Sequence, residues 1–587
     1  MSSQTVTRTG NGEAVRYRTY LGWQPEKVAF MFGVSGQRVA LIVAAVLAAI
    51  WPLAAQRIQL APIAWPIALL LAGFAFIRLG GRTLDEWVAA FVSYQLLRVR
   101  SQHRFVSAAF APTTAPETNT EDDNADDVDG PHHDNDRADE HADEPRDNSG
   151  GEQDLGDQRG RRRWLVQRRA AQMDLPGVLA PLTFLEAQMG ATAAGAMHEG
   201  DGALAVAYHR LDRTYTAVAR VSYPGIGLVD SERREARVNG WGALLSGLCT
   251  EGQLIVRVQA LQRMSPASGA ALRRWHTDHL GTNAPQLARE ITSGLLATAG
   301  VTTSQREGFL AFTMDSRRAA STIRAAGGGT AGAVKVLTRQ LRAISSSVAG
   351  ADVQIESWLG PRDLAEVIRT AYDPHAARTL AERRAASPAP GHFSSGPHTA
   401  NGGALAAGVA PAVAGPAAAE SLPGSYRHDG GFSATFWVQD WPRSQVFSTA
   451  LAPLLGESTH RRAFSLHIEP LGPRTAERDV MRERTARSVA VRMRQRTGQI
   501  VPEHEQAALD RARAQDMDRA AGHGLVRFTG YVTVTVTDER LLEDACAELE
   551  ADAAAARIEL RRMWYAQDVG FAMSALPLGF GLPRKRF

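Results

Sequence analysis

The stretch best suited by type to hold a phosphate is Gly327-Gly328-Gly329-Thr330-Ala331-Gly332, which leads into an apolar-periodic segment. A phosphate loop surrounds the anion with backbone N–H groups, backed by an adjacent Lys and a magnesium-binding hydroxyl. Here Ala333-Val334-Lys335-Val336 follows, so neither group stands in place, and a loop opening a helix is the better reading. No G-x-x-x-x-G-K-[ST] occurs elsewhere, nor any H-E-x-x-H, paired C-x-x-C or G-x-S-x-G. His276 and His279, in RRWHTDHL, share one helical face and suit a metal, but no third ligand stands at a defined spacing. His132, His133 and His141 lie among aspartates, where a solvated acidic linker accounts for them. His460 and His467 flank a strand without the His-x-His pair that a DNA-nicking centre would show. The arginines of Arg474–Arg496 are of a type that touches DNA. Glu477, Asp479 and Glu483 interleave with them, which favours a solvated helical hairpin. Cys249 and Cys546 are too few and too far apart for a disulfide framework, and suit a reduced cytosolic compartment. We therefore expect no catalytic, cofactor-binding or metal-binding residues, and no enzymatic activity.

The elements that would position anything else begin with two uncharged apolar arms, Val39–Ala55 and Leu60–Ile77, separated by the turn Gln56–Gln59. At about 1.5 Å per residue, each arm covers most of a hydrocarbon core of about 30 Å. Trp51 and Trp65 fall near the turn, as aromatic residues do at a membrane interface. Arg16, Arg18, Lys27 and Arg38 precede the arms; Arg78, Arg82, Arg98, Arg100 and Arg104 follow them; the turn holds Arg57 alone. That bias predicts an inner-membrane hairpin with both termini and the bulk of the chain in the cytoplasm. A signal peptide ending at Leu53-Ala54-Ala55 is disfavoured by the long lead-in and the second arm, and a buried soluble hairpin by two adjacent uncharged runs.

In a chain of 587 residues we expect several domains. The net charge of +3 hides a segregated acidic run, and lysine occurs only at Lys27, Lys335 and Lys585. Residues 1–38 form a cytoplasmic lead-in, whose aromatic and basic part Tyr17–Phe32 suits the membrane surface, and 39–77 the hairpin. Residues 82–105 read as an amphipathic helix, with Thr83 as N-cap and an apolar stripe of Leu84, Trp87, Phe91 and Tyr94. Residues 111–163 are an acidic, low-complexity linker, expected to be disordered, and 385–430 an Ala/Pro/Gly-rich one.

Two modules remain, 164–384 and 431–587. The first reads as strand Tyr215–Tyr223, helix Trp241–Leu248, strand Gln253–Gln262, a helical insertion Gly269–Ala299, strand Gly308–Met314, helix Ala333–Val348, strand Val353–Leu359 and helix Pro361–Ala371. The second repeats that order: Phe432–Val438, Val446–Leu455, Ala463–Ile468, a helical insertion 474–521, Gly530–Val536, Glu539–Ala555, Arg557–Met563 and Asp568–Leu578. The expected fold is α+β: a two-helix transmembrane hairpin followed by duplicated ferredoxin-like α/β modules with helical insertions. Alternation alone also admits a doubly wound sheet.

The basic lead-in, the tight hairpin and Gly80-Gly81-Arg82-Thr83-Leu84-Asp85-Glu86-Trp87 resemble the PrgI-type membrane subunit of conjugative type IV secretion systems. They resemble more closely the larger actinobacterial conjugative-element proteins that begin with such a hairpin. Phe436–Pro442, the strand around Tyr531–Val536 and Ala575-Leu576-Pro577-Leu578-Gly579 are similar to the non-catalytic N-terminal domain of the TrbE/CagE-class ATPases, in which such a turn precedes the ATPase domain. The resemblance implies a membrane-anchored scaffold of a conjugative DNA-transfer apparatus that works in an oligomeric complex with a separate motor ATPase and other channel subunits. The motor would dock near Ala575–Gly579, with Leu576–Leu582 as an apolar anchor. The alternatives are a type VII secretion membrane subunit with two N-terminal spans and a membrane-tethered DNA-processing enzyme.

Overall fold

The computed structural model describes residues 21–22, 36–54, 56, 59, 61–76, 78–79, 82–110, 174–188, 203–223, 229–266, 269–281, 283–302, 304–386, 408–442, 449–498 and 500–581. The acidic segment 111–163, with its three histidines, therefore lies outside the described residues, as does most of 1–38.

Alternation of apolar and polar residues makes the long strands, and proline and glycine punctuate them. The N-terminal part holds β1 (Leu21–Gly22), α1 (Gly36–Ala54), α2 (Ala61–Phe76), β2 (Arg78–Leu79), β3 (Arg82–Thr83), α3 (Leu84–Val99) and β4 (Arg104–Val106). The first block follows as β5 (Leu182–Gln188), β6 (Ala203–His209), β7 (Thr214–Ser222), α4 (Ser231–Leu248) and β8 (Ile255–Pro266). It continues with α5 (Ala270–His279), α6 (Gln286–Thr302), β9 (Ser304–Asp315), α7 (Ala320–Ala325), α8 (Gly329–Ala349), β10 (Gln354–Trp358), α9 (Pro361–Tyr372) and α10 (Ala376–Ala386). The second comprises β11 (Ala418–Ser421), β12 (Tyr426–His428), β13 (Gly431–Asp440), α11 (Ala452–Leu455), β14 (Arg461–Leu471), α12 (Pro473–Arg496) and α13 (Glu503–Ala520). It ends with β15 (Leu525–Val536), α14 (Leu542–Ala555), β16 (Glu559–Arg562) and α15 (Gln567–Ser574). Pro361 and Pro473 each stand in the first turn of their helix, where a missing N–H costs nothing and the fixed φ suits the start.

The chain is α+β. One sheet runs through both blocks in the order β4-β11-β12-β13-β15-β14-β8-β9-β7-β6-β5, with β16 beside β13 and β10 beside β7. Apart from the two-residue β1, which runs parallel to β15, its pairs are antiparallel, which removes the doubly wound alternative. Within the first block the pairing order is β10-β7-β9-β8, and within the second β16-β13-β15-β14. The blocks join where β8 pairs with β14, from Ala463 opposite Arg263 to Ile468 opposite Val258.

Period-two alternation gives the sheet two dissimilar faces. One is apolar: Val258, Leu310, Phe312, Met314 and Ile468 pack under α4 and α8 through Leu245, Leu248, Leu337, Leu341 and Val348. Phe436, Phe464, Val532 and Val534 do the same under α14 through Leu542, Cys546 and Leu549. The opposite face mixes Leu261, Phe309 and Ala311 with buried Gln259, Arg263, Thr313, Ser465, His467 and Thr533, and is covered by α9, α15 and the chain after it.

Several boundaries differ from the sequence reading, among them the start of α4, at Ser231 rather than Trp241, and of β15, at Leu525 rather than Gly530. The helix read over 82–105 stops at Val99, and Arg104–Val106 becomes a strand on β11. The linker read over 385–430 begins inside α10, and residues 408–430 belong to the fold as a turn of 3-10 helix at Pro411–Val413 plus β11 and β12. Ala- and Gly-rich composition argues for a linker, but Ala414, Ala419 and Tyr426 are buried against α9 and α15, and tertiary burial decides. Strands β5 and β6 are additional to the elements read, and the described part of the helix read over Val446–Leu455 is the single turn Ala452–Leu455.

Candidate functional site

Four regions carry the features from which a function can be argued. The first is the N-terminal helix pair. α1 has 19 residues and α2 has 16, or about 28 Å and about 24 Å at 1.5 Å per residue. Among the described residues, no helix is long and apolar enough to cross a membrane. The pair nonetheless turns Leu47, Ile50, Trp51, Ile63, Trp65, Leu69 and Leu70 outward, Leu69 with 77% of its surface exposed, while Ala45, Ala64 and Ala68 are buried.

The second region fixes that pair to the rest. Of the stripe read on α3, Trp87, Phe91 and Tyr94 close round Tyr565, with ring centroids at 6.1, 5.7 and 5.4 Å, while the side chain of Leu84 lies outside the described residues. The Tyr94 hydroxyl donates to the Ser421 carbonyl at 3.1 Å, and burial raises its pKa. Tyr565 holds φ of +64°, a left-handed conformation that aims its ring into this aromatic cluster.

The third is the seam between blocks, closed by the segment after α15. Gln259, with two amide N–H groups to donate, has three acceptors in reach of its nitrogen: the Leu576 carbonyl at 2.8 Å, Ser465 Oγ at 2.9 Å and, longest, the Met573 carbonyl at 3.2 Å. Its Oε1 accepts from the Gly579 N–H at 2.7 Å, and Arg257 donates to the Gly579 carbonyl while pairing with Glu469. Gly579 sits at φ +61°, and a Cβ there would stand 2.1 Å from Thr313 Oγ1, so the sequence requires glycine. Of the stretch read over Leu576–Leu582 as an apolar anchor, Leu576 and Leu578 are buried in the chain's own core, and Leu582 lies outside the described residues. The alternation of that tail could not distinguish an anchor from a core segment, because both are apolar.

His467 belongs to this seam. Its Nε2 lies 2.8 Å from the Met573 carbonyl, which requires a donor; Nε2 therefore carries the proton and Nδ1 is buried without a partner. Burial drives its pKa down to about 3, and that of His428, between the Tyr372 carbonyl and Ser433 Oγ, to about 4. Both are neutral core histidines. His460 stands 3.7 Å from Glu548, away from His467's pocket. The His279 ring stacks on Trp275 at 4.5 Å, with Nδ1 on the Trp275 carbonyl. Among the described residues no three His, Cys, Asp or Glu side chains are grouped to hold a metal ion. Burial raises Cys249 and Cys546 to about 11, so both thiols are protonated at neutral pH. Within the insertion, Arg484 pairs with Asp516 at 2.6 Å and Arg494 with Glu505 at 2.8 Å, so these two arginines tie α12 to α13.

The fourth is a cleft of about 660 Å³ between β5 and α8, lined by Leu185, Glu186, Ala187, Thr330, Val334, Lys335, Arg339 and Arg342. Gly327, Gly328 and Gly329, at φ of +108°, +72° and +60°, turn the chain into α8. Lys335, Arg339 and Arg342, at i, i+4 and i+7, then form an exposed cationic row that the sequence KVLTRQLR already contained. No protein-family model matches the chain, and no curated protein is found similar to it.

Proposed function

We propose that this chain is a membrane-anchored, non-enzymatic scaffold of a type IV-like conjugative DNA-transfer apparatus. In this reading the hairpin anchors it in the inner membrane with both termini cytoplasmic, and the cytosolic part recruits a separate motor ATPase and other channel subunits within an oligomeric complex. The observation that carries the anchor is the outward row of Leu47, Ile50, Ile63, Leu69 and Leu70 around a small-residue contact of Ala45, Ala64 and Ala68. Apolar area of that extent facing water is unfavourable, and lipid removes the cost. The same reading treats the two blocks as copies of one ferredoxin-like unit. Their shared pairing order and antiparallel sense support it, since the split β-α-β arrangement places the first and third strands side by side between the fourth and second.

Fractionation followed by thiol labelling tests the anchor and its orientation. With Cys249 and Cys546 buried, a cysteine replacing Gln56 should react with a membrane-impermeant maleimide in intact cells, whereas a cysteine replacing Arg540 should react only after lysis. Recovery in the soluble fraction, or the reverse labelling, overturns the reading. Co-purification in mild detergent should return an ATPase, and the purified chain alone should not hydrolyse ATP. Turnover abolished by Lys335→Ala would instead favour an enzyme.

A further inference from the structure

The exposed row on α8 has no established use, and its neighbour is a sheet edge. Among the described residues β5 is the last strand of the sheet, paired from Leu182 opposite His209 to Gln188 opposite Ala203 with β6 alone. A strand in that position offers N–H and C=O groups along its outer edge to any extended segment laid beside it. Lys335, Arg339 and Arg342 overlook that edge across the cleft, and Glu186 is the one carboxylate in the lining. None of the three cations is in an ion pair among the described residues. The site therefore suits an extended, acidic peptide.

The chain contains such a peptide. Between Glu121 and Glu144 stand twelve Asp and Glu residues against the single Arg137. The described chain resumes at Asp174 and reaches β5 at Leu182, so some thirty residues, able to span about 100 Å when extended, separate the acidic run from the fold beside the cleft. Such a tether holds the run near the cleft at an effective concentration on the order of millimolar. We propose that the acidic run Glu121–Glu144 docks in cis in this cleft, lying along the β5 edge with its carboxylates on Lys335, Arg339 and Arg342. The edge favours a peptide over a nucleic acid, because its backbone groups match another backbone and a phosphodiester chain has no N–H to return.

The test uses the full-length protein in detergent, with p-benzoylphenylalanine in place of Ala331 as a photo-crosslinker in the cleft. Irradiation should give an intramolecular adduct to peptides from 121–144. Its yield should fall at least about fivefold in the Lys335→Glu/Arg339→Glu/Arg342→Glu variant and in 0.5 M NaCl, which shortens the reach of these charges. Replacing 121–144 by a Gly/Ser segment of equal length should speed hydrogen exchange of the amides in 182–188 about tenfold, without moving the melting midpoint of the whole protein. An adduct elsewhere, a yield indifferent to the charge reversal, or unchanged exchange overturns the proposal. A labelled DNA duplex that crosslinks at position 331 of the wild-type sequence background as strongly as in the Gly/Ser variant would also overturn it, making the cleft a nucleic-acid surface.

Discussion

The two faces of the sheet are built from the same strands and hold the protein together differently. Val532 and Val534 point to one side of β15 into an aliphatic layer with Leu542 and Leu549, while Thr533 and Thr535 point to the other, where hydroxyls pair with Thr435 and Ser433 at 2.8 Å. On the apolar side, adhesion is proportional to area and tolerant of repacking. On the polar side, buried groups are held by directional partners, and Gln259 alone joins Ser465 to the segment after α15 through its amide N–H groups and its Oε1. Apolar burial thus holds both faces, since Leu261, Phe309 and Ala311 pack with Leu364, Ile368 and Phe571 on the second, and hydrogen bonds on that second face additionally specify the position of the C-terminal segment. If that division holds, substitutions on the two faces should differ in kind as well as size.

The largest effect is expected on the apolar face. Phe312 is fully buried, its ring 6.0 Å from Trp358, and Phe312→Ala removes the side chain from a layer roofed by α8. We expect a loss of about 3–5 kcal/mol in chemical denaturation, spread over the whole fold. A loss confined to faster exchange of residues 574–581 would erase the distinction between faces.

Acid should weaken the polar face next. His428 and His467 are neutral in the fold, with pKa values near 4 and 3 against 6.5 for the free side chain. As pH falls below about 6.5 the unfolded chain binds a proton that the folded one refuses, so stability declines from there to about pH 4 for His428 and further for His467. For His428 alone the loss is roughly 3 kcal/mol. Melting followed from pH 7.5 to 4.5 should show this decline, and His428→Gln should flatten part of it; a flat wild-type profile would contradict the burial of these rings.

The unequal faces also explain what could be read from the sequence. The alternation Gly530–Val536 and the helix periodicity of Ala333–Val348 are local, so those elements, both helical insertions and the α3 stripe were legible. β6 escaped because ALAVAYH is nearly continuous in apolar residues and carries no period, and β5 because the apolar residues of LTFLEAQ, at its first, third, fourth and sixth positions, fit no strict alternation. The segment 408–430 read as a linker because its short strands depend on β13 and α9, which lie elsewhere in the chain. Gln259 gave no sequence signal: a polar residue inside an apolar strand acquires its role only when Met573, Leu576 and Gly579 arrive more than three hundred residues later. The cleft cations were visible as spacing in α8, but the edge strand opposite them was not.

A more local change should separate position from stability. Gln259→Leu keeps the bulk while leaving the Leu576 carbonyl and Gly579 N–H unpaired, at a cost of about 2 kcal/mol. The diagnostic readout is hydrogen exchange: amides in 574–581 should exchange about tenfold faster while those of α8 change little. Equal acceleration everywhere would mean that the seam is simply more core.

The smallest expected effect bears most directly on what the polar face is for. Thr435 Oγ1 and Thr533 Oγ1 lie 2.8 Å apart on paired strands, both buried. Replacing one with Val leaves its partner's hydroxyl without that contact in a site closed to water, which should cost about 1–2 kcal/mol. Replacing both removes the demand together with the bond, and valine suits a strand at least as well as threonine. The Thr435→Val/Thr533→Val protein should therefore return to within about 0.5 kcal/mol of wild type, giving a coupling energy of about 1 kcal/mol or more across the cycle. The nearest other polar demand is Gln567, whose Oε1 accepts from the Thr435 backbone N–H at 2.8 Å; a valine at 435 keeps that N–H, so α15 should stay in place. A double variant as unstable as the sum of its parts would mean that the hydroxyl pair supplies net stability, and hydrogen bonds on the polar face would then share the load assigned above to apolar burial.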